Sequence, residues 1–197
     1  SPVGPYFKGG AKPVKIWVSE NYTRAAAGGT GAAKCGGNYA ASLIAQAEAA
    51  SHGCDQVVFL DAAEHRWVEE LGGMNVFFVM ADGSITTPPL GGTILPGITR
   101  KSLIALAREE GITVNEQPYS FEQWQADAQS GKLKEAFACG TAAVVAGIGA
   151  VKFTGGEFQI GDGQTGPVTS TLREALVGIQ RGASNDRHGW LTAISGV

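Results

Sequence analysis

Residues 75–87, Asn-Val-Phe-Phe-Val-Met-Ala-Asp-Gly-Ser-Ile-Thr-Thr, decide the fold class. The run over residues 75–81 is apolar and rich in β-formers, which predicts a buried strand. Asp82-Gly83 supplies a tight hairpin turn, and Ile85–Thr87 then reads as the returning strand. Working outward, residues 14–19 (Val-Lys-Ile-Trp-Val-Ser) alternate and predict another strand. Residues 24–36 are small and glycine-rich, hence a loop. Residues 38–52 predict a helix with Leu43, Ile44, Ala47 and Ala50 along one face and Gly53 as its stop. Gln56–Leu60 predicts a strand. Further along come a helix over 99–110 closed by Gly111, a strand over 112–118 and a helix over 120–129. Strands over 135–139 and 143–151 flank a Gly-Thr-Ala turn. A short extended piece over 158–160 and a helix over 168–181 complete the pattern. Strands outnumber helices and several connections are hairpins. The expected fold class is therefore α+β, a mixed or antiparallel sheet with flanking helices, rather than a doubly wound parallel sheet.

A chain of 197 residues, 44% hydrophobic and 17% charged, suits one domain with a real core and argues against disorder. The net charge of -3 speaks against the basic face of a nucleic-acid binder. A small anion stays possible, since a few backbone N–H groups suffice to hold one. The 29 glycines fall in clusters without a period, which excludes collagen and solenoids. Cys35, Cys54 and Cys139 are odd in number and widely spaced, so neither disulfides nor zinc are expected; reduced thiols fit the cytoplasm. No apolar run reaches the ~18 residues of a membrane helix. His52, His65 and His188 lack ligand spacing and read as structural or surface residues, and no metal is expected. Trp17, Trp67 and Trp124 read as core or interface residues. The opening Ser1-Pro-Val-Gly-Pro-Tyr-Phe-Lys-Gly-Gly reads as a linker, so the chain is expected to be a piece of something longer.

Four places carry candidate chemistry. Lys34 sits among small residues, Thr-Gly-Ala-Ala-Lys-Cys-Gly-Gly-Asn-Tyr, between a strand and a helix. A lone lysine is most often a solvated surface charge, but this one has room for a planar partner, and a lysine amine can form a Schiff base. It is not a P-loop, because Ala33 and Cys35 stand where Gly and Ser/Thr are needed, and no strand–GxGxxG–helix unit occurs. Leu95-Pro-Gly-Ile-Thr-Arg100 opens a helix, whose unpaired N–H groups suit a phosphate; the plainer reading is a capping turn with Thr99 as N-cap. Gly140-Thr141-Ala142 is a turn with a hydroxyl and two N–H groups for an anion, or simply a turn. Glu69-Glu70 precede a Gly-Gly turn; adjacent acids usually face solvent, but one could point inward at a cationic ring nitrogen.

Taken together, these motifs resemble the fold-type IV pyridoxal-phosphate enzymes, and among them the branched-chain amino acid aminotransferases. The resemblance is carried, in order, by Ser1-Pro-Val-Gly-Pro-Tyr-Phe7, Gly28-Gly-Thr-Gly-Ala-Ala-Lys-Cys-Gly-Gly-Asn-Tyr39, Glu70-Leu-Gly-Gly-Met-Asn75, Thr87-Pro-Pro-Leu90, Leu95-Pro-Gly-Ile-Thr-Arg100 and Gly140-Thr-Ala142. The Ala-Ala-Lys-Cys-Gly-Gly-Asn-Tyr and Ala-Cys-Gly-Thr-Ala versions look actinobacterial. The resemblance implies the pseudo-barrel large domain of that fold over residues 13–197. It implies that residues 1–12 are the remnant of an interdomain linker and that the family's small N-terminal domain is absent.

The same resemblance implies pyridoxal 5'-phosphate as cofactor. Lys34 would hold it and shuttle the proton between the substrate α-carbon and the cofactor. Glu70 would face the pyridine nitrogen, and Tyr39 would bind the phenolic oxygen. Ile98, Thr99 and Thr141 would bind the phosphate, with Arg24 close by. Thr141 and Ala142 would meet the substrate. The implied reaction moves an amino group from leucine, isoleucine or valine to 2-oxoglutarate, in a homodimer. Two departures stand out. Ala143 and Ala146 occupy the places of a redox CxxC found in animal relatives, so thiol regulation is not expected. Gly73 replaces a threonine that touches the substrate carboxylate. Alternatives of the same fold are a D-amino acid aminotransferase or an aminodeoxychorismate lyase. A different class is a non-catalytic fragment that binds cofactor or only dimerises.

Overall fold

The computed structural model describes residues 12–194. Of the expected linker over residues 1–12, all but Lys12 lies outside the described residues. The elements are β1 (Val14–Ser19), α1 (Gly36–Ser51), β2 (Gln56–Leu60), β3 (Val68–Leu71), β4 (Asn75–Met80), β5 (Ile85–Thr87), α2 (Ile98–Glu109), β6 (Val114–Glu116), α3 (Phe121–Ser130), β7 (Leu133–Gly140), β8 (Val144–Phe153), β9 (Gly156–Gln159) and α4 (Pro167–Gln180). The strands form one mixed sheet in the order β3-β2-β1-β8-β7-β4-β5-β6, with β9 on β8. The α+β class with a mixed sheet is therefore as expected. The strand expected over 112–118 shrinks to Val114–Glu116, and β3 is an element the periodicity did not predict.

The sheet has to curl. β3 and β4 are separated by four strands in the sheet order, a span of about 24 Å if flat. Only Gly72, Gly73 and Met74 join them, and a link that short reaches about 14 Å. The two strands meet because the sheet bends into a half-barrel, with Leu71 N donating to the Met74 carbonyl at 2.9 Å.

Both faces of the sheet are covered, so β1, β2 and β4 are apolar at nearly every position. Val14, Ile16 and Val18 of β1, Val58 and Leu60 of β2, and Val76 and Phe78 of β4 point into one core with Trp124 of α3. The intervening Phe77 and Val79 pack outward on Leu103 of α2 and Leu172 of α4. Trp17, Val57 and Phe59 pack on Ala45 and Ala49 of α1. Trp17 and Trp124 are thus core residues, while Trp67 is half-buried. His52 stacks on Trp17 and His188 on Trp190. His65 is exposed.

The expected face of α1 needs correcting. Leu43 and Ile44 are 69% and 55% exposed, and the buried face is Asn38, Ser42, Ala45 and Ala49. Small residues at a four-residue spacing bring the helix axis close to the sheet, where large strand side chains already fill the space. Hydrophobicity alone pointed to the wrong stripe. Among the described residues, no helix is long and apolar enough to cross a membrane, and no group of three or more His, Cys, Asp or Glu could hold a metal ion.

Candidate active site

The loop between β1 and α1 is short of side chains and is held by its backbone. Gly28 takes a positive φ of 78°. A side chain at Gly31 would collide with the backbone of Thr93. Ala32 N donates to the Gly92 carbonyl at 2.9 Å. Asn38, in the first turn of α1, closes the loop: its Nδ2 donates to the carbonyls of Thr30 (2.8 Å) and Ala33 (3.2 Å), and its Oδ1 accepts from Thr30 Oγ1 (2.7 Å). Lys34 emerges from this frame into solvent with its Nζ 4.6 Å from the centre of the Tyr39 ring. Cys35 is the N-cap of α1 without a side-chain cap bond. Its thiol is held below the usual range by the Gly37 N–H and the Thr30 hydroxyl.

Both acids of β3 are buried, 8% exposed for Glu69 and 2% for Glu70, against the expectation that adjacent acids face solvent. A bulge explains it. Val58 pairs with Leu71 but Leu60 pairs with Val68, so the strand gains a residue there. Val68 and Leu71 both reach the inner core, and both acids turn to residues 93–95. Glu70 Oε1 pairs with Arg24 Nη1 at 2.8 Å and accepts the Leu95 N–H at 2.8 Å. Glu69 Oε1 accepts from Thr93 Oγ1 at 2.5 Å. Arg24 also donates to the Thr93 carbonyl at 2.9 Å. Burial pushes the Glu70 carboxyl up to about 7, while Arg24, the Leu95 N–H and Lys34 pull it back. Burial likewise raises the Glu69 carboxyl, against the Thr93 hydrogen bond.

The start of α2 lies one residue earlier than expected. Gly97 is the N-cap and makes no side-chain cap bond, so Thr99 does not cap the helix. The terminus is fixed instead by Asn75, whose Nδ2 donates to the Leu95 carbonyl at 3.0 Å and whose Oδ1 leaves no room for a Cβ at Gly97. Ile98, 77% exposed, and Thr99 thus sit in an uncapped first turn. On the other side of Asn75, the pairing of β4 with β7 sets Asn75 opposite Cys139. The Gly140-Thr141-Ala142 turn therefore packs on Gly73 and Met74. Val144 closes this turn at φ 59°, an uncommon conformation for a β-branched residue.

A cleft of about 400 Å³ opens between these parts. It brings together Lys34, Tyr39, Thr141 and Ala142, with Met74, Gln46 and Gln56 completing its walls. Arg24, Glu70, Ile98 and Thr99 do not line it. Arg24, buried and paired with Glu70, lies 6.0 Å from the Tyr39 ring, and Ile98 and Thr99 follow Gly97, which packs on Asn75 next to Met74 of the wall. Lys34 approaches Glu70 closely enough to stabilise its charge.

The residues suit pyridoxal phosphate on one internal observation. Tyr39 lines the cleft, and its buried hydroxyl has no hydrogen-bond partner among the described residues, so it is free to meet a group placed there. The uncapped N–H groups of α2 are a second set of free donors. Sequence reasoning missed Asn75, Thr93 and Gly31 as site-building residues and discounted Glu69. Only the glycine-proline density of residues 88–97 hinted that side chains from elsewhere must fix that segment.

The Amino-transferase class IV family model matches residues 6–151. The branched-chain-amino-acid aminotransferase of Mycolicibacterium smegmatis is 56% identical over 198 residues, covering 99% of this chain and 54% of that protein. A crystal structure of the branched-chain amino acid aminotransferase of Escherichia coli superposes with a TM-score of 0.81 at 37% identity, covering 96% of this chain and 59% of that one. A T.th. branched-chain amino acid aminotransferase complexed with N-(5'-phosphopyridoxyl)-L-glutamate gives a TM-score of 0.77 at 34% identity, covering 91% of this chain and 56% of that one. The chain spans about half the length of the curated relatives it matches.

Proposed function

Because the chain belongs to the class IV amino-transferase family, we propose that residues 13–197 form the cofactor-binding part of a pyridoxal-phosphate-dependent branched-chain amino acid aminotransferase. It exchanges an amino group between leucine, isoleucine or valine and 2-oxoglutarate. The observation that carries this reading is the cleft that gathers Lys34, the unpartnered Tyr39 hydroxyl and the Thr141-Ala142 turn in front of a buried carboxylate.

Pyridoxal phosphate, when bound, supplies an electron sink for the pair left behind as a proton leaves the substrate α-carbon. Lys34, the lysine on the cleft wall, would hold the cofactor through its carbonyl carbon and, once displaced by the substrate amine, its freed Nζ would move that proton. Its exposure on a well-braced loop leaves it free to swing while the loop stays put. Tyr39 Oη donates to the cofactor's phenolic oxygen. Glu70 would face the ring nitrogen, and Arg24 acts behind it by favouring the charged carboxylate against the burial that raises it. The N–H groups of Ile98 and Thr99 bind the phosphate together with Thr141, and the Ala142 N–H orients the substrate carboxylate. Three free thiols support a reducing, cytoplasmic setting. The functional assembly is a homodimer.

The test is spectral. Pyridoxal phosphate added to the chain produces a yellow protein absorbing in the visible, and Lys34→Ala abolishes the band without unfolding the protein. A wild-type chain that stays colourless sinks the proposal. Turnover of leucine against D-alanine then checks the substrate class, and preference for D-alanine overturns it.

A further inference from the structure

Residues 88–97 join β5 to α2 without regular secondary structure and include three prolines and three glycines. Such a segment has no ladder of its own to fix the helix it feeds. Its position is set by side chains from β3 and from the Lys34 loop, and by Asn75 of β4, whose Nδ2 donates to the Leu95 carbonyl. Ile94 is buried. Arg24 holds the Thr93 carbonyl, Glu70 holds the Leu95 N–H, and Ala32 N holds the Gly92 carbonyl. Among these ties the bond from Thr93 Oγ1 to Glu69 Oε1, at 2.5 Å, joins two side chains, the acid buried and the hydroxyl residue half-buried. The other ties use groups that already serve the ion pair or the backbone. Glu69 has no such second duty: its Oε2 has no partner among the described residues. Burying a carboxyl without a compensating partner is costly, and the Thr93 hydroxyl is the compensation observed.

We propose that the Glu69–Thr93 hydrogen bond is a latch that sets the first turn of α2 against Lys34, making Glu69 and Thr93 positioning residues for the phosphate end of the site. This rests on the cofactor reading given above. The division of labour is between neighbours on one bulged strand: Glu70 serves the ring, and Glu69 serves the segment that presents the phosphate-binding N–H groups. The latch touches no cofactor atom. Its loss therefore falls on ligands with a phosphate and spares those without one.

The full chain is titrated with pyridoxal phosphate and with pyridoxal, following the visible band and tryptophan quenching. Thr93→Val removes the hydroxyl at nearly constant volume, and Thr93→Ser keeps it. Thr93→Val weakens pyridoxal phosphate by about tenfold, the worth of one buried hydrogen bond, and leaves pyridoxal within about twofold. Thr93→Ser binds both as wild type does. If Thr93→Val fails to fold, Glu69→Gln is read in its place; it keeps an acceptor oxygen but loses the charge, and loses about threefold in pyridoxal phosphate alone. Equal losses for both ligands, or no loss for either, overturn the latch. A wild-type chain that takes up no pyridoxal phosphate overturns the functional reading as well, whereas uptake by wild type with an indifferent Thr93→Val overturns the latch alone.

Discussion

Arg24 and Lys34 lie on the same loop and carry the same charge, yet their surroundings are opposite. The Arg24 side chain is 1% exposed, paired with Glu70 and bonded to the Thr93 carbonyl. Lys34 is exposed, and its Nζ lies over the face of the Tyr39 ring. In the first region the charges pair with each other, and in the second the lysine stays in solvent. The Arg24–Glu70 layer is built as a scaffold, and the Lys34 wall is the part open to a ligand.

The two regions differ most in what a single deletion does. Removing one partner of a buried pair strands the other charge, so Arg24→Met destabilises by about 3–5 kcal/mol at pH 8. Lys34→Met, at an exposed site, changes stability by less than about 0.5 kcal/mol. Urea denaturation of both variants checks this, and equal losses would erase the distinction between scaffold and receptor.

Acidity separates them further. Glu70 is raised by burial from an ordinary 4.5 to about 7. A raised carboxyl favours the protonated form in the fold. Its contribution is fully present below pH 4.5 and is lost as pH climbs through about 7. Relative to Glu70→Gln, the wild type therefore loses up to about 3 kcal/mol across that window. The penalty of Arg24→Met shrinks on the acid side for the same reason, because Glu70 can take up a proton once its counter-charge is gone. Denaturation curves at pH 5, 6, 7 and 8 read both effects; a wild-type-to-Glu70→Gln difference that is flat with pH contradicts the assignment.

The sheet was legible in the sequence because its signal is local. The alternation in β1, the Asp82-Gly83 turn and the apolar run of β4 need nothing from the rest of the chain. What was not legible depends on distant contacts. The face of α1 was misjudged because Ala45 and Ala49 are buried by what they fit beneath rather than by hydrophobicity. β3 escaped because a bulge breaks its alternation and hides two acids side by side. A hydroxyl is the usual cap signal and points to Thr99, whereas Asn75, twenty-two residues before Gly97, holds that terminus. Lys34, Tyr39, Thr141 and Ala142 could be named beforehand because the motif resemblance supplied them; that they share one cleft is a fact of the curled sheet. Thr93 could not be named, since its meaning comes from Glu69.

Tyr39 gives the finest test, because it stands between the two regions. Its ring lies under Lys34 and about 6 Å from the Arg24 guanidinium, and its hydroxyl is buried without a partner among the described residues. A hydroxyl that belonged to the scaffold would behave like that of Tyr119, which donates to Asp127 at 3.0 Å. Deleting it would then lower stability. A hydroxyl kept for a ligand is desolvated without return until the ligand arrives. Tyr39→Phe is therefore expected to leave the cofactor-free protein as stable as wild type, or more stable by up to about 1 kcal/mol. The same substitution weakens pyridoxal phosphate by about tenfold. Thermal melts without cofactor and a binding titration with it give the two halves. A destabilised but normally binding Tyr39→Phe would move this residue from the receptor to the scaffold and shift the boundary between them to the Lys34 side of the ring.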